Sequence, residues 1–402
     1  MTTELRSIIL DTTRRLFSKF VSADDLSNAT KGVWSQHLWM RLEEHGFTQV
    51  DEEGLTYADG LALLQTAGYY AVPLPLAESI LSSKILSDLK LEKPAGVVTL
   101  AVTTVGEITF DPGSENIPFK NSHSGDIFFA GGVRISGRWR DVPWARAADA
   151  VIICAPISGK KSVLAIVEKS DFDVEEHNSL ASEPLDVITL HDVPLRSFAV
   201  VKESIEDLLV HAALTRTMLS VGALERVLDM TIQYAGERNQ FGRAIGKFQA
   251  VQQQIAQMAA ETAAFRAIAN RALQTVELAN DSLGCELSIV HQIDEDEASV
   301  NGKTVETNSE QVSQGNAKEA SAVSEVRRIT ALAKVRLAQA ALVSPTNAHQ
   351  IHGAMGFTQE YTLHHYTRRI WNYRHEYGNE RFWGNVLLSM MRDEDTWRFI
   401  TK

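Results

Sequence analysis

Between His349 and Gly378 the sequence reads HQIHGAMGFTQEYTLHHYTRRIWNYRHEYG, and this stretch holds five of the chain's 12 histidines: His349, His352, His364, His365 and His375. Neutral imidazole is the commonest metal ligand, so spacing decides whether such a cluster is a metal centre. His349 and His352 could share a helical face, as could His364 or His365 with a neighbour one turn away. There is no H-E-x-x-H pattern and no nearby cysteine, and no aspartate stands beside His349 or His352 to orient a ligand ring. No metal is expected here.

Within the same stretch, QIHGAMGF places Gly353 and Gly356 three apart at the end of a helical segment. Glycine allows a left-handed turn and close approach of the backbone to a ligand, although a simple helix cap between two helices has the same signature. Upstream, YAGERNQFGRAIGKFQ crowds Arg238, Arg243 and Lys247 around Gly242 and Gly246 at a helix–loop–helix junction. Cations and free N–H groups at a helix N-terminus suit a pyrophosphate. Taken alone, the charge run reads equally as a solvated turn.

These segments have to be positioned by the rest of a chain of 402 residues, long enough for two or three packed units. The first ninety-five residues carry helical periodicity, with Ile9, Leu16 and Phe20 near one face and Trp34, Leu38 and Leu42 near another. In VPLPLAESILSSKIL, two prolines precede the stripe Leu76, Ile80, Leu81. Between 96 and 203 the texture changes to short β-branched runs broken by glycine and polar turns (VVTLAVTTV, DIFFAGGVRISG, DAVIICAP, SVLAIVE, DVITLHDVPL), which predicts a small β domain. From 204 to 402 long helices return. One carries Leu208, Ala212, Thr215, Leu219, Ala223, Val227, Met230 and Tyr234, and a second carries Phe248, Val251, Ile255, Met258, Thr262 and Phe265. A third is expected over about 320–343 and a fourth over the histidine-bearing tail, together a four-helix bundle. Residues 288–320 hold almost no large apolar side chains and read as a mobile insertion. The fold class is therefore α+β, in the order helical, β, helical. No glycines stand in the G-x-G-x-x-G arrangement of a doubly wound nucleotide-binding sheet.

Composition narrows the function further. A net charge of -12 argues against a nucleic-acid partner, which needs a basic footprint. The two cysteines, Cys154 and Cys285, cannot build a disulfide framework. The N-terminus does not read as a signal peptide, and no uncharged apolar run approaches the ~20 residues of a membrane helix. These features predict a soluble, cytoplasmic protein without a membrane partner.

The two C-terminal motifs together, YAxxRxQFGRxIGxFQxVQxxIAxM and QIHGxxGFTxEYxLHxYxRR, resemble those of the acyl-CoA dehydrogenase family. The domain order resembles that family throughout, with weaker echoes in WSQHLWMRLEEHGF and PLPLAES. The resemblance implies FAD bound in extended form, with R-x-x-F-G and Q-x-x-G-G-x-G reaching the adenosine-pyrophosphate end of a neighbouring subunit's cofactor. Carried over residue by residue, these are Arg238, Gln240, Phe241, Gln350 and Gly353, with Ala354 in place of the second glycine. The implied reaction removes the α-proton of an acyl-CoA thioester while a hydride leaves Cβ for the flavin, and it needs a carboxylate base.

At that point the sequence departs from the family. The usual C-terminal glutamate position falls on Tyr377, and the alternative position falls on Ala212. Glu376 stands one residue early and is the candidate base if the chain works alone. A helical turn there would rotate it by about 100 degrees away from the usual direction. The T-E-P-x-x-G-S-D loop is missing, and GRWRDVPW puts Asp141 and Pro143 where G-x-K-x-W-I-T-N has its Trp and Thr. Proline offers neither an N–H nor a hydroxyl. Trp144 could stack on a ring or simply fill a core.

Motifs that reach toward a neighbour's FAD are kept, and those that hold the flavin ring within the subunit are lost. The resemblance therefore implies one half of a composite site, completed by a homologous subunit in an α2β2 heterotetramer acting on a bulky or branched acyl-CoA. An electron-transfer flavoprotein is the acceptor the family implies. The competing readings are a self-sufficient homo-oligomer using Glu376, a nucleotide- or partner-binding scaffold without catalysis, and an oxygen-using flavoenzyme on the same fold.

Overall fold

A computed structural model describes residues 2–30, 33–50, 55–106, 108–111, 133–156, 162–201, 205–280 and 309–392. The N-terminal unit contains α1 (Thr2–Phe20), α2 (Ala23–Ala29), α3 (Gln36–Glu44), α4 (Tyr57–Tyr69) and α5 (Leu76–Asp88). Three of these helices start on side-chain caps: Ser22, Ser35 and Thr56 accept from the backbone N–H groups of Asp25, Leu38 and Asp59. Pro75 stands at the N-cap of α5. Residues Leu76–Ser83 of α5 are all buried, so its buried surface is broader than the expected stripe of Leu76, Ile80 and Leu81.

The central unit is built on β1 (Val98–Ala101), β2 (Thr103–Thr104), β3 (Thr109–Asp111), β4 (Arg134–Pro143), β5 (Ala150–Pro156), β6 (Ser162–Glu168), β7 (Asp173–Glu175), β8 (Leu185–Pro194) and β9 (Ser197–Val201). One sheet has the order β1-β5-β6-β9, with β1 parallel to β5 and the rest antiparallel. The other has the order β2-β4-β8-β7, with β3 also paired to β4. Period-two alternation gives the first sheet two buried faces. Val151, Ile153 and Ala155 join the main core with Ile135, Trp139 and Ile188 of the second sheet. Ala150, Ile152 and Cys154 pack instead with Leu81, Ile85 and Leu86 of α5. The Cys154 thiol is pushed up to about 12 by this burial. Cys285 and the DIFFAGG part of an expected strand lie outside the described residues.

The C-terminal unit has α6 (Ile205–Glu237), the short hairpin β10 (Asn239–Gln240) and β11 (Arg243–Ala244), then α7 (Gln249–Asn280), α8 (Ser309–His352), α9 (Leu363–His375) and α10 (Glu380–Arg392). Among the described residues, three long helices and two short ones replace the four expected. The third helix extends well past 343, because Pro345 is accommodated inside it instead of ending it. The tail is split where Tyr377 and Gly378 both take positive φ, 55° and 100°. Of the segment read as an insertion, 288–308 lies outside the described residues, and 309–320 belongs to α8. No helix among the described residues is long and apolar enough to cross a membrane.

Helices α4 and α6 cross in backbone contact. A Cβ on Gly222 would sit 1.9 Å from the Gln65 carbonyl oxygen and 2.4 Å from the Tyr69 nitrogen, and one on Gly68 would sit 1.9 Å from the Leu219 carbonyl oxygen. This crossing ties the N-terminal unit to the helix that carries the site residues. Gly222→Ala is expected to push the helices apart and cost about 2 kcal/mol or more, read from the urea midpoint. An unchanged midpoint would contradict the close crossing.

Candidate functional site

The first cluster forms where α6 ends. After Glu237 the chain makes a two-residue hairpin, pairing Asn239 with Ala244 and Gln240 with Arg243. The turn residues Phe241 and Gly242 both have positive φ, 52° and 78°, as a tight hairpin of this hand requires. For phenylalanine that conformation is strained, yet its ring is 90% exposed, so the protein's own packing does not account for it. Arg243 lies over the Phe248 ring at 4.3 Å. Arg238, Gln240 and Lys247 are exposed or half-buried, and among the described residues Arg238 and Lys247 form no ion pair.

The second cluster forms where α8 ends. Gln350 is exposed, and Gly353 (φ 58°) opens a short 3-10 turn over Gly353–Phe357 with open space where a Cβ would be. The two clusters are distant in sequence, but Tyr234 joins their helices. Its ring stacks on His352 at 4.3 Å, and its hydroxyl donates to the His352 carbonyl at 3.3 Å. Tyr361 contacts His352 Nε2 at 3.2 Å.

The histidines act as packing here. His349 is stacked between Phe357 (4.8 Å) and Trp371 (5.8 Å), with Nε2 held by Thr367 at 2.9 Å. Burial lowers the pKa of His349, His352 and His364, and pushes His365 down to about 3 with help from His364 and Arg369. Among the described residues no three His, Cys, Asp or Glu side chains are grouped to hold a metal ion.

A third cluster lies inside, between α5, α6, α9 and the β domain. Ala212 is fully buried, and Tyr377 packs against the same cluster. One turn beyond Ala212 on α6, Arg216 donates to Glu78 Oε1 at 2.5 Å and, through Nε, to Glu376. Asn372 donates to the other Glu376 oxygen. Burial alone would lower the Arg216 pKa, but Glu376 and Glu78 outweigh it and hold the guanidinium firmly charged. Beside it, Arg369 and the Tyr373 hydroxyl reach Glu183 at 2.9 and 3.3 Å, and burial raises the Glu183 pKa.

Glu78, Trp144, Glu183, Arg216 and Tyr373 border a cavity of about 20 Å³. That is room for a water molecule, far below the several hundred Å³ of a ligand cleft. Trp144 is buried in this wall and Pro143 is buried behind it, its carbonyl accepting from Thr99 at 2.6 Å. Asp141 is exposed, with φ 56° at a bulge in β4.

Glu376 does not sit one helical step from Tyr377, as a continuous helix would have it. The α9 helix ends at His375, and Glu376 is already extended (φ -61°, ψ 137°). Lys334 fixes this end: its ammonium donates to the carbonyls of Tyr373 (2.6 Å), Glu376 (2.7 Å) and Arg374 (3.2 Å). Arg216, Glu78, Lys334 and Glu183 all escaped sequence reasoning. The available signal was a cation inside an otherwise apolar helix face, at Arg216 on α6 and at Lys334 in ALAKVRLAQAAL.

Burial pushes the Lys334 ammonium down to about 7, against the pull of Glu376. The unfolded chain keeps that proton up to its ordinary lysine range, so between about pH 7 and 10 the unfolded state binds more protons and stability rises with pH. Lys334→Met is expected to flatten that rise in urea titrations across the window. A wild-type curve of the same slope as the variant would contradict the assignment.

A family model described as acyl-CoA dehydrogenase, C-terminal domain, matches residues 203–290. Acyl-CoA dehydrogenase FadE27 of Mycobacterium tuberculosis is 26% identical over 238 residues, covering 56% of this chain and 62% of that protein. Matches to the curated relatives span between 16% and 62% of their lengths, in each case less than two thirds. The ChsE4-ChsE5 complex from Mycobacterium tuberculosis superposes with TM-score 0.72 at 18% identity, over 98% of this chain and 98% of that one. The Tcur3481-Tcur3483 steroid ACAD also gives 0.72 at 18% identity, over 98% and 99%. At such identity these structures establish the fold. Residues 203–290 thus match the C-terminal domain of the acyl-CoA dehydrogenase family, and the whole chain shares the fold of these neighbours.

Proposed function

We propose that this chain is a flavin-dependent acyl-CoA dehydrogenase subunit that supplies half of a composite site. The observation that carries this reading is the contrast between its two clusters. The outer one keeps Arg238, Gln240, Phe241, Gln350 and Gly353 exposed, and among the described residues Arg238 forms no ion pair. The inner cluster, where the family's base positions fall on Ala212 and Tyr377, is packed around Arg216, and the ring-binding positions fall on exposed Asp141 and buried Pro143.

FAD fits the outer cluster and not the inner cleft. The Arg238 guanidinium and Lys247 ammonium can pair with pyrophosphate oxygens, the Gln350 amide can donate or accept, and Gly353 lets a ligand approach the backbone. Bound FAD supplies the hydride acceptor. A homologous partner would supply the flavin-ring pocket, the CoA cleft and the base, since the Glu376 carboxylate is committed to Arg216 and Asn372. An α2β2 assembly in the cytoplasm satisfies this division. The two-chain ChsE4-ChsE5 complex and the steroid ACAD among the structural neighbours support it, and the latter favours a bulky acyl-CoA.

The competing self-sufficient reading needs Glu376 freed from Arg216, and the scaffold reading needs no partner with a complete cleft. Flavin content separates them. The chain alone should carry none, and the chain co-purified with its homologous partner should carry it and reduce it with acyl-CoA. A flavin-free, inactive pair would sink the composite enzyme.

A further inference from the structure

The surroundings of Arg216 form a receptor. Two carboxylates meet its edge, Glu78 at 2.5 Å and Glu376 at Nε, and two rings meet the cation, Tyr373 and Tyr377, with centroids 5.5 and 5.2 Å from Cζ. In-plane carboxylates and aromatic faces are the two chemistries that recognise a guanidinium. Arg216, Glu78 and Tyr373 are each under 7% exposed.

The walls come from elements other than Arg216's own: Glu78 from α5, Tyr373 from α9, and Glu376 and Tyr377 from the turn after it. Most of the wall is also held independently. Lys334 grips the backbone carbonyls of Tyr373 and Glu376, the Trp383 indole donates to the Tyr377 carbonyl at 3.0 Å, and Asn372 holds Glu376. Cutting the arginine side chain therefore leaves its cage standing.

We propose that Arg216 is an internal ligand: its guanidinium fills a cation cage built into the chain's own cleft, keeps that cleft shut, and leaves behind, when removed, a site for small alkylguanidinium cations. The cage is read from this chain's geometry alone. Its role as the plug of a flavin and acyl cleft rests on the composite reading above.

The test is chemical rescue of Arg216→Ala in the full chain, read by thermal unfolding. Removing the cation leaves two buried carboxylates facing each other, and Tm should fall by roughly 5–10 °C. About 10 mM methylguanidinium should restore at least half of that loss, saturably, and leave wild type unchanged. Equal sodium chloride or methylammonium should restore much less. A variant as stable as wild type, or one that responds to methylguanidinium no better than to sodium chloride, overturns the proposal. If Arg216→Ala is insoluble, the double variant Arg216→Ala, Glu78→Gln removes the like-charge pair and takes its place in the same assay: saturable rescue by methylguanidinium supports the cage, and a response no better than to sodium chloride overturns it. Flavin bound by the lone wild-type chain would remove the plug role and leave the rescue intact. Failed rescue sinks the cage whatever the flavin content.

Discussion

Arg238→Ala is expected to strip FAD from the assembled enzyme while leaving the fold of this chain untouched. Arg238 is exposed and forms no ion pair among the described residues, so nothing internal is lost with it, and stability should hold within about 0.5 kcal/mol. A charge-assisted hydrogen bond to a phosphate oxygen contributes about 1.5–3 kcal/mol, so the FAD dissociation constant should rise roughly 10- to 100-fold. Gln350→Ala should act in the same direction with a smaller effect, because a neutral amide makes the weaker bond. Flavin fluorescence during titration of the apo-complex gives both numbers. Unchanged affinity in Arg238→Ala would remove the outer cluster from the cofactor site.

Glu376→Gln has the opposite signature. The carboxylate is 12% exposed and held by Arg216, so its loss weakens a buried ion-pair network, on the order of 3 kcal/mol. In a composite enzyme the base belongs to the partner, and flavin reduction by substrate should stay within about threefold of wild type. Were Glu376 the base, the reduction would be abolished and stability would be the lesser effect. Stopped-flow reduction separates the two, and urea unfolding on the same preparation reports the loss of the ion pair, which both readings share.

What the sequence made legible was what is local. Helical and strand periodicity gave the helical, β, helical order of elements, and the candidate outer cluster suggested itself because R-x-Q-F-G and Q-I-H-G lie in short contiguous runs. In space the helices carrying these runs are joined by Tyr234 stacking on His352. The inner network was not legible for the same physical reason in reverse. Arg216 meets Glu78 across 138 positions and Glu376 across 160, and no periodicity encodes such pairings.

The direction of Glu376 was also hidden. A helix-based count assumes that α9 continues, whereas the chain leaves it after His375, and Lys334, from α8, satisfies the freed carbonyls. The third helix, expected to stop near 343, runs on to His352 with Pro345 carried inside it, in a helix packed against α6, α7 and α10.

The central claim is that this chain shares a flavin site and does not own one. The most direct measurement is the visible spectrum of the chain purified alone, set beside that of the chain co-expressed with its homologous partner. A shared site gives a colourless lone chain and a complex showing the flavin bands, with fewer FAD molecules than polypeptides. Flavin retained stoichiometrically by the lone chain would contradict it and return Glu376 to the role of base.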